Sequence, residues 1–545
     1  MHASLLPPLH IPTDLSFGQF LLKYNPDHVP ANKVVLEDLA EPHDKLTYGG
    51  IRHETARLAG ALRQVYGIRP GDAVVLYAVN SVAWLRLAHA VMWMGGVLVC
   101  INAAVSEHEL PHYLKIAKAT HCFSDAGLCP KMDAALKESP GSKMQILELA
   151  GTLQKLKANS ASPIPPIDLS KTGNKNTVAM VLFSSGTSSL PKGVQLSHFN
   201  LLAQALSARV STPETTCQDA REVFFPPLAH MFGLASVVLP TAVSGSYVML
   251  MPAFTYPGFI EGSARIRANV MRTVPAIAVM IAKDPNISKY DLSCVRSLIC
   301  AGATLQEEIV SRLQDVFAGV EITQGYGMTE TSVTVLRGHR SVDKRGSVGT
   351  LMANSQIKIV DDKRNEVPTG TMGELLIKSP SVFFNYRGDD KATKDSFHDG
   401  WLCTGDMLRV DEDGFFWFMD RKKEMIKYKG NQIPPAQLED LLLRHSAVQE
   451  AAVCATWDAE QQTEIPIGYV VLSPNIKKED HPALLKEIRE SVDTKVSGYK
   501  KLRGGVVAID ALPKNHTGKL ARNELPARKE MLKMMEAKLK PKAKL

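Results

Sequence analysis

The chain has 545 residues, 45% hydrophobic and 22% charged, with a formal net charge of +7. That length leaves room for three or four packing units, and the balance excludes collagenous, disordered and disulfide-scaffold chains. Eight basic residues and three glutamates fall between Arg522 and Leu545; without a recognisable nucleic-acid module, this tail reads as a solvated helix end.

The N-terminus, MHASLLPPLHIPTDLS, lacks a charged region followed by an apolar one, so no signal peptide is expected. Apolar runs at 73–77 (AVVLY), 178–183 (VAMVLF), 247–251 (YVMLM), 295–300 (VRSLIC) and 321–324 (EITQ) read as buried strands. Helical patterns alternate with them, which predicts an α/β fold. After the first run, His108-Glu109-Leu110-Pro111-His112 matches the zinc-protease pattern. Pro111 interrupts the helix that would have to carry both imidazoles, so no zinc is expected. Ser106 with Glu109 reads instead as a capping box.

Eight cysteines are scattered without a CxxC pair, several in apolar runs such as VLVCI at 97–101. They predict reduced thiols in an intracellular compartment. Residues 162–176 (SPIPPIDLSKTGNKN) have no apolar period and read as a linker between subdomains. Residues 231–254 carry no charge, yet Pro240, Ser244, Gly245, Ser246 and Pro252 argue against a membrane span. A buried helix, a turn at 244–246 and a strand fit better. A boundary near Asp420 divides residues 1–419 from a small α+β domain, 420–545. In that domain helices are expected at 436–444 and 482–496, and strands at 450–455, 467–472 and 505–509.

Five stretches carry the chemistry. In SSGTSSLPKGV at 184–194, a strand runs into a turn rich in hydroxyls. Gly186 permits close backbone approach, successive N–H groups can form an anion nest, and Lys192 adds charge. The order Lys-Gly-Val is not that of a Walker box, which disfavours a P-loop kinase. In QGYGMTE at 324–330, Tyr326 offers a ring for stacking, Thr329 a phosphate donor, and Glu330 a hard oxygen for Mg²⁺. WLCTGD at 401–406 places Asp406 where it can accept from ribose hydroxyls. DRKKE begins at Asp420, and PKNHTGK ends at Lys519.

Together these stretches resemble the adenylate-forming superfamily of acyl-CoA synthetases, 4-coumarate–CoA ligases, firefly luciferase and nonribosomal adenylation domains. The likeness spans about residue 46 to 522, and Lys427-Tyr428-Lys429-Gly430 is most similar to the 4-coumarate–CoA ligase and luciferase branch. It implies a large N-terminal AMP-binding domain of αβ subdomains with parallel-rich sheets and a β-barrel-like part, plus a small mobile C-terminal domain. It also implies ATP, Mg²⁺ and CoA as partners in making an acyl-CoA through acyl-AMP, from a hydrophobic medium-chain fatty or aryl-alkanoic acid.

By the same resemblance, Ser184, Ser185, Gly186, Thr187, Ser188, Ser189 and Lys192 would hold the outer phosphates. Ala301, Gly302, Ala303, Gln324, Gly325, Tyr326 and Gly327 would enclose adenine. Thr329 would meet the α-phosphate, Glu330 would bind Mg²⁺, and Asp406 and Arg421 would hold ribose. Lys519 would serve adenylation; after rotation about Lys423, Lys427 and Gln432 would serve thioester formation, with Lys429 and Gly430 along the CoA path. His230 would orient the carboxylate. Phe232, Ser236, Cys300 and Val333 would line the acyl pocket. Ser189 and Leu305 depart from the family pattern, where Gly and Pro are common, and Cys300 stands where 4-coumarate–CoA ligases often carry Lys. Alternatives are a luciferase-like monooxygenase, an acyl-AMP ligase loading a carrier protein, and an inactive nucleotide-binding partner. Ala543-Lys544-Leu545 resembles a peroxisomal address, so an import receptor is an expected partner and the cytoplasm the alternative location.

Overall fold

The computed structural model describes residues 1–139, 144–159, 161–184, 190–302, 305, 307–331, 334–337, 344, 346–429, 431–461, 463–515 and 519–539. Contacts divide the chain into two compact units, Met1–Ile357 with Ile377–Cys403, and Lys358–Leu376 with Thr404–Leu545.

In the first unit a seven-stranded sheet is centred on Ala73–Ala78 and Val97–Asn102, which pair in parallel. His121–Ser124 runs parallel to the former and Val178–Ser184 to the latter. Side chains alternate across a strand. Val74, Leu76, Leu98 and Cys100 therefore enter one core, while Val75, Tyr77, Val99 and Ile101 enter a second. Parallel strands covered on both faces must be apolar at every position, and this is why AVVLY reads as an unbroken block. Beyond Val178–Ser184 the sheet changes direction. Lys192–Ser197 runs antiparallel to it, and Asn385–Tyr386 antiparallel to Lys192–Ser197.

Two further sheets lie in this unit. One has the order Arg221–Phe224, Tyr247–Leu250, Val34–Asp38, Lys45–Thr47; the other runs Val270–Thr273, Ser297–Ala301, Glu321–Gly327, Thr334–Arg337, Thr350–Leu351. Phe259, Ile281 and Leu313, from helices Tyr256–Arg265, Pro275–Lys283 and Glu307–Val316, share a core with Leu298 and Cys300 of the latter sheet. All five expected strands are present, with ends shifted by up to three residues.

The second unit has Val448–Asp458 antiparallel to Thr463–Leu472, with Val506–Ala508 parallel to the latter. Helices Pro435–Leu443, His481–Asp493 and Pro526–Leu539 contribute Leu438, Leu442, Ile488, Val492 and Met531 to its core. The sheets and the small α+β part thus agree with the α/β class expected from sequence. Position 420 falls inside the second unit, whose contacts also take in 404–419 and 358–376. Hairpin pairing accounts for the first of these, since Asp406 to Val410 pair with Phe416 to Arg421.

Residues 161–176 form no helix or strand, yet they are clamped. The Trp93 indole N–H donates to Ile164 O at 2.9 Å, and Asn174 Nδ2 donates to Pro12 O and Leu15 O at 2.9 and 2.8 Å. The expected capping box forms by half. Glu109 accepts from the Ser106 N–H at 3.0 Å, but the Ser106 hydroxyl donates to the same carboxylate, and the helix starts at Leu110. Among the described residues no helix is long and apolar enough to cross a membrane.

Two imidazoles lie in the first unit's core. His198 Nδ1 accepts the Phe17 N–H at 3.2 Å, and His89 stacks on the Phe17 ring at 6.2 Å. Among the described residues the Nε2 of each is buried without a partner. Burial pushes both down to about 4. An unfolded histidine takes its proton near pH 6.5, so the unfolded state binds more protons between 6.5 and 4, and stability falls as pH falls through that window. Hydrogen exchange, corrected for intrinsic rates, should show protection at Phe17–Lys23 and His198–Ser211 declining from pH 7 to pH 4.5; unchanged protection would contradict the assignment.

Candidate active site

Glycine in an extended chain lets two strands approach a ligand without side-chain obstruction. Ser297–Ala301 and Glu321–Gly327 run parallel and in register, with Cys300 opposite Gln324 and Ala301 opposite Gly325. The two segments expected at adenine are thus neighbours. Gly302 follows with φ 94°, and a bulge interrupts pairing between Tyr326 and Gly327. Tyr326 is largely buried. Gln324 Oε1 accepts the Leu305 N–H at 2.7 Å. A proline at 305 would have no hydrogen to give, so in this chain the departure supplies a donor to a buried amide.

Thr329–Thr331 forms a single 3-10 turn directly after that strand. Glu330 is 7% exposed. The Tyr386 hydroxyl donates to its Oε1 at 2.8 Å, and the Phe383 N–H donates to its backbone carbonyl at 2.7 Å. Burial, and after it the Glu330 carboxylate, push the Tyr386 phenol well above its ordinary range. Among the described residues no three His, Cys, Asp or Glu side chains cluster as a metal cage. A single hard carboxylate suits Mg²⁺ shared with phosphate oxygens.

The hydroxyl-rich loop is closed at its neck, where Ser184 pairs with Lys192. Lys192 Nζ lies 4.7 Å from the centroid of the Tyr386 ring. Ser185, Gly186, Thr187, Ser188 and Ser189 lie outside the described residues, as do Ala303, Val333, Gly430, Ala543, Lys544 and Leu545.

His230 caps the helical segment that begins at Met231, its Nδ1 accepting the Phe232 N–H at 3.2 Å. The chain then forms a π-turn over Leu234–Val238, in which the Leu239 N–H reaches Leu234 O. Pro240 has no N–H to give the i−4 carbonyl, and the wider turn accommodates it. Asn80 holds the approach to His230. Its Nδ2 donates to Phe225 O at 3.1 Å and Pro226 O at 2.9 Å, and its Oδ1 accepts the Leu228 N–H at 2.8 Å. No sequence signal marks Asn80. Phe232 is half-buried and meets Phe224 edge-on at 5.7 Å, while Ser236 is buried. Cys300 is fully buried, its thiol pushed far up by desolvation, among Ile281, Leu298 and Leu313.

In the second unit Asp406 and Arg421 are cross-strand partners, 3.8 Å apart at Oδ1 and Nε. Gly405 turns with φ 71°, and its carbonyl accepts the Lys422 N–H at 2.8 Å. Lys519 joins this pair. Burial, and after it the Arg421 guanidinium, push its ammonium down to about 8, with Asp406 opposing. Its loop is tied shut by Asn515 N–H to Lys519 O and Ala521 N–H to Pro513 O, both 2.8 Å.

Lys427 and Gln432 face each other across the hairpin Ile426–Tyr428 and Asn431–Ile433. Lys427 is exposed, and Gln432 Oε1 is buried with no partner among the described residues. Exposed Lys429 makes the turn at φ 45°. Lys423 is exposed, its carbonyl accepting from Arg528 Nη2 at 3.3 Å. Beside it, Arg522 meets Glu424, Glu439 at 2.8 Å and Asp420 at 3.6 Å.

Residues 23–387 match the AMP-binding enzyme family, and residues 437–519 the AMP-binding enzyme C-terminal domain. A probable 4-coumarate–CoA ligase 3 of Dictyostelium discoideum is 34% identical over 84% of this chain and 86% of its own. A peroxisomal OPC-8:0-CoA ligase 1 of Arabidopsis thaliana is 31% identical over 89% of both. ATP-bound MatB from Rhodopseudomonas palustris superposes with a TM-score of 0.83 at 24% identity, covering 94% of this chain and 98% of that one. The chain belongs to the AMP-binding enzyme family and is an adenylate-forming acyl- or aryl-CoA ligase.

Proposed function

We propose that the protein activates a hydrophobic carboxylic acid, a medium-chain fatty or aryl-alkanoic acid, with ATP and Mg²⁺, and passes the acyl group to CoA. The observation that carries this reading is that Lys519, remote in sequence, lies within the field of the cross-strand pair Asp406 and Arg421. A free carboxylate is a poor acyl donor. Its oxygen attacks the α-phosphorus of ATP, the bond to the β-phosphate oxygen breaks, and pyrophosphate leaves. The CoA thiolate then attacks the acyl-AMP carbonyl, and AMP departs with the electron pair.

In the first step Lys519 bridges the carboxylate and the α-phosphate, charge set in advance where charge develops. Thr329 donates to the same phosphate, and Asp406 accepts from ribose. Lys192 and the hydroxyls of the 184–194 loop hold the departing pyrophosphate. Glu330 would hold Mg²⁺, which neutralises phosphate charge when bound. His230, with Nδ1 engaged by its own helix, orients the acid. In the second step the domain from 420 onward turns about Lys423, and Lys427 and Gln432 take Lys519's place, with Lys429 and Gly430 along the thiol path. Such motion is gating. Phe232 and Ser236 supply the acyl wall. The buried, neutral Cys300 thiol provides no cation for a phenol, which favours an acid without a ring hydroxyl. The peroxisomal name of one relative and the AKL terminus support a peroxisomal location.

A panel of fatty and aryl-alkanoic acids with ATP, Mg²⁺ and CoA should yield AMP and thioester in equal amounts. Thioester from none of these acids, or ADP in place of AMP, would end this reading. Lys519→Ala should lower pyrophosphate–ATP exchange by about 10²- to 10³-fold while leaving CoA attack on supplied acyl-AMP within a few-fold. The bridging form of Lys519 is the protonated one, half present at about pH 8 and complete well below it. The kcat/KM for exchange should therefore be level below that pH and fall about tenfold per unit above it. A profile flat through pH 9 would exclude Lys519 as the titrating group. Removing Ala543–Leu545 should leave a tagged protein in the cytosol; retention in peroxisomes would discard the address.

A further inference from the structure

We propose that Tyr386 is a positioning residue that fixes the Glu330 carboxylate and the Lys192 ammonium in one catalytic geometry. This rests on the reading of Glu330 as the metal ligand and Lys192 as a phosphate-loop cation. Tyr386 serves the two groups with different parts of one side chain. Its hydroxyl donates to Glu330 Oε1 at 2.8 Å, and its ring lies 4.7 Å from Lys192 Nζ.

A carboxylate that binds a metal through one oxygen needs its orientation set by a bond to its surroundings, and such outer partners commonly contribute 10- to 100-fold in metal affinity. A neutral phenol suits that task, because it stabilises the anion without cancelling its charge. The ring does the corresponding service for Lys192. A cation held over an aromatic face is localised yet keeps its full charge for a phosphate, whereas a carboxylate partner would neutralise it.

The backbone ties the same three residues together. Tyr386 pairs with Val194, two residues from Lys192, and the neighbouring Asn385 pairs with Gln195. The Phe383 N–H binds Glu330 O at 2.7 Å, so one short strand grips both the loop hairpin and the acidic turn. Arg387 anchors that strand. Its guanidinium donates to Ile116 O at 3.1 Å, Ala117 O at 3.0 Å and Gln195 Oε1 at 3.0 Å. The Tyr386 N–H is held by Thr393 Oγ1 at 2.9 Å.

The test uses the full chain, with Mn²⁺ binding followed by electron paramagnetic resonance in the presence of α,β-methylene-ATP. Tyr386→Phe keeps the ring and removes the hydroxyl. It should weaken Mn²⁺ by about tenfold or more, with nucleotide affinity at saturating Mn²⁺ changed less than about threefold. Tyr386→Leu removes both contacts and should weaken nucleotide binding about tenfold as well. Mn²⁺ affinity within about threefold of the parent in the Phe variant, or equal losses of metal and nucleotide in both variants, would overturn the proposal. Should the Phe variant fail to fold, Thr393→Val, which releases the Tyr386 N–H, gives the same reading of metal affinity. If the parent protein converts no acid but the Phe variant loses Mn²⁺ affinity as expected, the proposed function fails while this assignment stands. If it makes acyl-CoA and the Phe variant binds Mn²⁺ normally, only this assignment fails.

Discussion

A cation reserved for phosphate must not be neutralised by the protein's own carboxylates. The chain carries 63 Lys and Arg against 56 Asp and Glu, so most cations have an acid available. The structural arginines are consumed in this way. Arg272 pairs with buried Glu222, Arg86 with Asp44 and Glu54, and Arg209 with Asp27. Lys192, Lys427 and Lys519 make no ion pair among the described residues. Lys192 is held by an aromatic face, Lys427 stands in solvent, and Lys519 sits beside another cation. The like-charged neighbour and the lost water lower the proton affinity of Lys519, and the same features leave it strongly attractive to an incoming anion.

Arg522 shows the opposite use of charge three residues further on. One guanidinium meets Asp420, Glu424 and Glu439, and its fork of five donors suits several acceptors at once. Three acids around one base leave a negative excess. Burial first, with Glu424 and Glu439 adding, moves Asp420 up to about 6, against the pull of Arg522. The network joins the end of the Lys519 loop to the 420–424 segment and to helix Pro435–Leu443, so the loop's base is fixed to the proposed pivot. Lys at 522 could not satisfy this geometry, since an ammonium is a point charge without a planar fork.

The sequence made the sheet cores legible because burial on both faces demands apolar residues at every position, as in Ala73–Ala78. It offered the charged residues of the proposed site as candidates, because their identity is chemistry that no packing rule replaces. It concealed what orients them. Asn80 is an ordinary turn residue by pattern, and only its three bonds to the 225–228 segment mark it. Tyr386 sits in a run, Phe383-Phe384-Asn385-Tyr386, that carries no motif. The segment 162–176 reads as a linker between subdomains, and nothing in a string shows that Trp93 and Asn174 hold it in place. The resemblance that places Cys300 at the acyl pocket does not show its packing, in a core with Ile281, Leu298 and Leu313.

Local rules are broken where the chemistry is expected. Lys429, a non-glycine residue, takes φ 45° at the hairpin carrying Lys427 and Gln432. The helix after His230 widens to a π-turn at the residues before Pro240. Pairing slips between Tyr326 and Gly327, beside the turn that carries Glu330. Each irregularity has a cost in backbone strain or a lost ladder bond, and sequences that specify one fold seldom keep such costs without return. Leu305 fits this pattern from the other side. It gives up the rigidity a proline would bring and gains the N–H that Gln324 accepts, so the strand Glu321–Gly327 is held by a bond in place of a constrained φ. This chain therefore reaches the family's architecture with a locally different support, and any change in nucleotide affinity caused by Leu305→Pro would pass through Gln324 before it reached the ligand.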